Sequence, residues 1–175
     1  MKVDDVSFED AVAALRRGDF SASAPLFEEP TPTHDCRITE WFDRGRFKDH
    51  EDALLEAFSC ACFLGRVDAV RFFLARGVKP NGGAGAGVDA LHWAANRGQL
   101  ETVRLLIAHG ADLETKNMYG GTALGMTLWS AFNEPRPAHL DIIRTLLEAG
   151  ARTDVVPYPT GDREIDDLFV RYRPE

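Results

Sequence analysis

The cysteines and histidines are the residue types of this chain that could carry chemistry. The thiols of Cys60 and Cys62 could serve as nucleophiles or metal ligands, with the imidazole of His92 as a base or further ligand. However, Cys60 and Cys62 are two positions apart on a predicted helix, where their side chains do not face one another. The spacing resembles no zinc cluster, and no group near His92 in the sequence completes a catalytic set. We therefore expect buried free thiols, no metal and no cofactor, and keep an enzyme or metal protein using these residues as a less favoured alternative.

A glycine-rich run at residues 81–87 is the other candidate for chemistry, because clustered backbone N–H groups can bind phosphate. The run lacks the Gly-Lys-Ser/Thr ending of a phosphate loop, and it follows a helix and a loop where that motif needs a buried strand. Glycine also permits tight reversal of the chain. The pattern therefore favours a hairpin loop over a phosphate site.

The excess of acidic side chains bears on the class of partner. The chain has 175 residues, with 28 acidic and 20 basic side chains and a formal charge of −8. Nucleic-acid binding needs clustered Lys and Arg, so this balance argues against it. A content of 45% apolar and 27% charged residues is typical of one globular domain.

The sequence shows no targeting or membrane signal. Residues 1–5 contain no apolar segment typical of secretion, and no stretch approaches the roughly 18 apolar residues that span a bilayer. Three cysteines, Cys36, Cys60 and Cys62, are an odd number and argue against a disulfide framework. The sequence thus predicts a cytoplasmic protein with reduced thiols and no membrane contact.

An internal repeat of 33 residues determines the predicted architecture. Gly65 and Gly98 are 33 residues apart, and so are Val70 and Val103. A third copy ends 40 residues after the second, so about seven additional residues lie inside it, near 131–137. Each copy carries two short bursts of apolar residues with helical spacing. Helices this short need neighbours for stability, which predicts an all-α solenoid of stacked helix pairs.

The middle copy carries a family resemblance. Residues 91–112 read LHWAANRGQLETVRLLIAHGAD, and this run closely resembles an ankyrin repeat. The flanking copies match less well, since Ser59 and Gly125 stand at the position of His92. The resemblance implies an ankyrin-like α-solenoid with β-hairpin finger loops, in a small protein that stands alone.

The 33-residue repeat and the resemblance together predict that residues 1–175 form one repeat domain. Its predicted parts are a degenerate N-terminal cap (7–27), an insertion (28–50), three repeats (51–84, 85–117 and 118–156, the last with its insertion near 131–137) and a C-terminal cap helix (162–171).

The resemblance also implies which residues contact a partner. On the first helix of each pair these are Trp93, Asn96, Arg97, Met126 and Trp129. On the second finger, Met118 and Tyr119 stand where a solvated loop is normally polar, so we expect them and the neighbouring Lys116 to contact the partner as well. Large aromatic side chains and Arg are typical of binding sites. Two alternatives to partner contact stay open. In one, Phe63 and Trp129 pack under an insertion, and in the other, Tyr119 packs against the neighbouring finger.

The predicted function is non-catalytic binding of another protein through the finger loops and the concave face. The negative charge favours a basic partner through electrostatic steering, and we expect a monomer. One alternative is an immunity protein that neutralises a cognate, basic toxin. The second is the enzyme or metal protein using Cys60, Cys62 and His92.

Overall fold

The N-terminal part of the fold consists of short helices. The computed structural model describes residues 6–28, 30–82, 87–154 and 156–172. The first elements are α1 (Phe8–Arg16), α2 (Phe20–Ser23), a 3-10 turn (Ala24–Phe27) and α3 (Arg37–Asp43). Pro25 lies at the start of the 3-10 turn, where its missing N–H removes no helical hydrogen bond. The second element of the predicted cap is therefore short and tight.

Three helix pairs follow, and one further helix ends the described chain. They are α4 (Glu51–Leu64) and α5 (Val67–Ala75), α6 (Ala90–Asn96) and α7 (Leu100–Ala108), α8 (Ala123–Asn133) and α9 (His139–Glu148), and then α10 (Arg163–Tyr172). The first helices stack in the order α1, α4, α6, α8, and the second helices in the order α3, α5, α7, α9, α10. Helix α3, inside the predicted insertion, thus covers α5.

Turns and caps recur at equivalent positions in the pairs. Gly65 and Gly98 separate the two helices of their pairs with φ angles of 67° and 73°, values that favour glycine. The side chains of Asp89 and Thr122 cap α6 and α8 by accepting a backbone N–H three residues later. Local sequence therefore determines where these helices begin and where the turns between them lie.

The core is continuous along the stack, as expected of repeats that bury their surfaces on each other. No residue in the described ranges belongs to a strand, so the predicted all-α class is confirmed. The β-hairpin detail differs. The second finger, within 112–122, is a sequence of turns, and most of the first, 83–86, lies outside the described residues.

Candidate functional site

A groove of about 470 Å³ lies between the second finger and helix α8. Its walls combine two aromatic rings, a thioether, an amide and two glycines. The lining residues are Asn117, Tyr119, Gly121, Gly125, Met126 and Trp129. Tyr119 is 82% exposed and Trp129 is 55% exposed, so large apolar surface faces solvent here. Exposed apolar surface grouped in one place is typical of an interaction site.

The finger is held in a defined conformation by Asn117. Its side-chain oxygen accepts the backbone N–H groups of Tyr119 and Gly121, each at 3.0 Å. Its own N–H donates to the Gly121 carbonyl at 2.9 Å, which closes the turn. The N–H of Met118 donates to the Gly87 carbonyl and links this finger to the preceding one. Tyr119 is therefore exposed on an ordered loop, which lowers the entropic cost of binding.

The groove floor carries a glycine where the preceding repeat carries a histidine. The ring of His92 lies 2.7 Å from the Asp89 carboxylate through Nδ1 and 3.0 Å from the Gly121 carbonyl through Nε2. It is almost fully buried and connects the second repeat to the second finger. Gly125, 33 residues later, has no side chain to make such a connection. The space beside the start of α8 remains open as part of the groove.

Trp93 and Arg97, two of the predicted contact residues, lie in an aromatic cluster of the N-terminal half. The Trp93 ring packs edge to face against Phe20 and Phe63, at centroid distances of 5.6 Å and 5.4 Å. The Arg97 guanidinium stacks over the Phe63 ring at 4.6 Å. Trp93, Phe63 and Arg97 are each half-buried, so part of their surface is already used within the fold.

Asn96 and Lys116 have opposite environments. Asn96 is buried, and its amide donates to the Ser130 hydroxyl of the next repeat at 2.7 Å. That bond makes Asn96 a link between α6 and α8, and we leave it out of the proposed contact surface. Lys116 is exposed on the finger beside Met118, which is 66% exposed. The structure thus brings Tyr119, Met126 and Trp129 together, with Lys116 and Met118 next to them.

Cys60 and Cys62 lie on α4 and are buried in the hydrophobic core of the protein. Burial raises the pKa of the Cys60 thiol far above its ordinary value, and Glu56 adds to the shift. Burial raises the pKa of Cys62 in the same way. The thiolate is the nucleophilic form, so both groups are poorly suited to covalent chemistry. In the part of the chain that the structure describes, no three His, Cys, Asp or Glu residues are grouped in a way that could hold a metal ion.

Comparison with known proteins gives the same assignment for the repeats. Residues 57–156 match the family profile described as ankyrin repeats in three copies. The chain belongs to the ankyrin repeat family. A solved ankyrin repeat domain from Acinetobacter baumannii AYE has a similar fold, with a TM-score of 0.63 and 22% identity over 95% of this chain and 98% of that one. Another ankyrin repeat protein has a TM-score of 0.58 and 18% identity over 96% of this chain and 100% of that one.

Ankyrin repeats are generally modules for protein–protein interaction and are typically not enzymes. In this ankyrin repeat domain, no helix in the described ranges is both long enough and apolar enough to cross a bilayer. Sequence reasoning missed three groove residues, Asn117, Gly121 and Gly125. The replacement of a histidine by Gly125 was visible in the 33-residue alignment, but its consequence for the groove depends on the fold.

Proposed function

We propose that this ankyrin repeat domain binds another protein through the groove between the second finger and α8. The observation that supports it best is the exposure of Tyr119 and Trp129 on rigid backbone around one apolar groove. Aromatic residues that are preorganised in this way supply much contact area at a low entropic cost. An apolar side chain of the partner would enter between them.

The formal charge of the chain supports a partner that is basic overall. The formal charge of the chain is −8, and α8 carries no charged side chain. At least eight arginines in the described ranges already form ion pairs with carboxylates. Each of these pairs also uses one carboxylate, so the net charge of the chain stays negative, and this charge accelerates association with a basic protein at low salt.

Affinity capture with matched variants tests the groove. The bait is this chain, compared with Trp129→Ala and with Val170→Ala, which removes an apolar side chain that is 66% exposed on α10. A protein retained by the wild type and by Val170→Ala, but lost with Trp129→Ala, is then purified and titrated. Loss of the Trp129 ring should weaken binding by about 2 kcal/mol, roughly thirtyfold in Kd.

Two results would contradict the proposal. In one, the purified partner binds Trp129→Ala as tightly as the wild type, which would move the site elsewhere. In the other, no captured protein distinguishes the groove variant from the α10 variant. An association rate that does not fall as salt is raised would show that the partner is not basic. It would not affect the assignment of the groove as the binding site.

A further inference from the structure

Among the described residues, no carboxylate oxygen lies within ion-pair distance of the half-buried Arg97 and Arg136. By contrast, Arg66, also half-buried, pairs with Glu28 at 2.8 Å. The Nε of Arg136 is buried and has no hydrogen-bond partner among the described residues. The Nε of Arg66 is unpartnered in the same way, so what sets Arg136 apart is that its guanidinium also has no carboxylate within ion-pair distance among the described residues.

The two arginines lie next to each other at the turn between α6 and α7. A Cβ added at Gly98 would lie 3.1 Å from the Cβ and from the Cδ of Arg136, so the Arg136 side chain crosses directly over this turn. Arg97 is the preceding residue, and its guanidinium is fixed on the Phe63 ring. The site thus joins the second repeat to the loop between α8 and α9.

The backbone of Arg136 is also fixed. Its N–H donates to Nδ1 of His139 at 3.2 Å, and its carbonyl accepts the N–H of His139 at 3.1 Å. The Nε2 of His139 in turn donates to the carbonyl of Asn96, the residue before Arg97. The Arg136 side chain therefore starts from a fixed backbone position, next to the turn that carries the stacked Arg97 guanidinium.

The mutual electrostatics support the same site. Burial lowers the pKa of Arg97, and the positive charge of Arg136 lowers it further, while Glu134 acts in the opposite direction. Two guanidinium groups that repel each other are stabilised when an anion lies between them, because each then donates charge-assisted hydrogen bonds.

We propose that Arg97 and Arg136 form a binding site for a carboxylate. A carboxylate matches the fork of donors on each guanidinium and carries a single charge. A phosphate also matches the fork, but its larger charge is disfavoured by the acidic field of the chain. In the proposed complex the ligand is an acidic side chain or the C-terminus of the partner. That source rests on the proposed function, whereas the anion site does not.

The position of the site relative to the groove fits one extended contact. Trp129 lies one helical turn before Asn133, the last residue of α8, and Arg136 follows three residues later. The rise along that turn is about 6 Å. The groove and the arginine pair therefore involve successive positions along α8 and the loop after it, which suits a partner segment with an apolar residue and a nearby acidic residue.

Titration of the isolated protein with sodium acetate, at an ionic strength held constant with sodium chloride, tests the site directly. The readout is the NMR signals of the Nε–H groups of Arg97 and Arg136 and of the Trp93 indole. We expect saturable shifts with acetate and at least about tenfold weaker binding in Arg136→Gln and in Arg97→Gln. Arg104→Gln, an exposed change on α7, should leave the titration unchanged. Trp129→Ala should leave it unchanged as well, which separates this site from the groove.

Three results would overturn the carboxylate site. Acetate shifts that remain linear and never saturate would show that no site exists. Saturation by sodium phosphate alone would assign a different anion. Equal acetate affinity in the wild type and in whichever of Arg136→Gln or Arg97→Gln keeps the folded spectrum would place the acetate elsewhere.

Discussion

Helices α6 and α8 occupy equivalent positions in successive repeats, yet their surfaces have different roles. At one equivalent pair of positions, Asn96 is buried and hydrogen-bonded to Ser130, whereas Trp129 is 55% exposed. At another, His92 is a buried link to the second finger, whereas Gly125 lines an open groove. The same backbone therefore carries a stabilising contact in one repeat and an accessible surface in the next.

The difference follows from what covers each helix. Phe20, from the N-terminal α2, packs on the Phe63 and Trp93 rings and covers part of the first two repeats. No comparable aromatic contact is made by Trp129 among the described residues. The aromatic packing by Phe20 therefore lies over the first two repeats, whereas exposed aromatic surface beside α8 lies in the third.

Replacing the histidine of α6 with glycine, the residue that α8 carries at the equivalent position, should have the largest effect on stability. His92→Gly removes the ring partner of the buried Asp89 carboxylate and the link to the Gly121 carbonyl. The backbone N–H of residue 92 still donates to Asp89, but the Asp89 carboxylate and the Gly121 carbonyl lose the ring as hydrogen-bond partner, which costs about 3 to 5 kcal/mol in the free energy of unfolding. Urea denaturation measures this cost. His109→Gly, which removes an exposed ring, is the control, and an equal loss in both variants would contradict the special role of His92.

Truncating the two tryptophans should separate stability from binding. Trp93→Ala loses its ring contacts with Phe20 and Phe63 and should destabilise the fold by about 2 kcal/mol. Trp129→Ala removes a mainly exposed ring and should change the unfolding free energy by less than about 0.5 kcal/mol. Thermal and urea unfolding of both proteins provide the measurement. Similar losses would mean that Trp129 supports the core.

Acidification should weaken the contact between α9 and α6. Burial lowers the pKa of His139 below its ordinary value of 6.5, Arg136 lowers it further, and the hydrogen bond to Asn96 opposes the shift. The unfolded chain then binds the proton more readily than the folded one, so stability should fall as pH drops below about 6.5.

The geometry gives the same sign, because Nδ1 of His139 accepts the Arg136 N–H and cannot do so once protonated. Urea midpoints measured across this pH range should therefore decrease with acid. His139→Gln can donate and accept without titrating in this range and should show a weaker decrease. An unchanged slope in that variant would assign the acid sensitivity to other groups.

Adding a methyl group to the groove floor should have the smallest effect on stability, and with a favourable sign. A Cβ at Gly125 would make ordinary contact with Val156 at 3.5 Å, and the residue lies within a helix. Gly125→Ala should therefore stabilise the fold by about 0.5 to 1 kcal/mol. Calorimetry measures the gain, and a lower melting temperature would show that the glycine is needed for packing. Weaker partner binding by this more stable variant would sharpen the assignment of the groove.

Much of the fold could be predicted from the sequence, because residues within the repeats themselves mark the turns. Gly65 and Gly98 mark the turns inside the pairs, and the 33-residue period gives their stacking order. The candidate site was only partly accessible to such reasoning. Tyr119 and Trp129 could be selected by residue type and register, and their role in binding stays a prediction.

The remainder depends on contacts between residues distant in sequence. The Asn96 amide meets a hydroxyl 34 residues away, and Trp93 meets a ring from the N-terminal α2. Neither contact has a local signal, since both side chains would also suit an exposed surface. The Arg97 and Arg136 pair is likewise created by the loop after α8 crossing the turn at Gly98.

The sequence by itself therefore determined the repeat family, the succession of helix pairs and the acidic balance of the chain, because periodicity, glycine turns and composition act locally or additively. Only the tertiary structure decided which equivalent positions are covered and which are open. Burial of a side chain depends on the neighbour that packs against it, and here Phe20 covers one part of the stack while Trp129 remains exposed beside the groove.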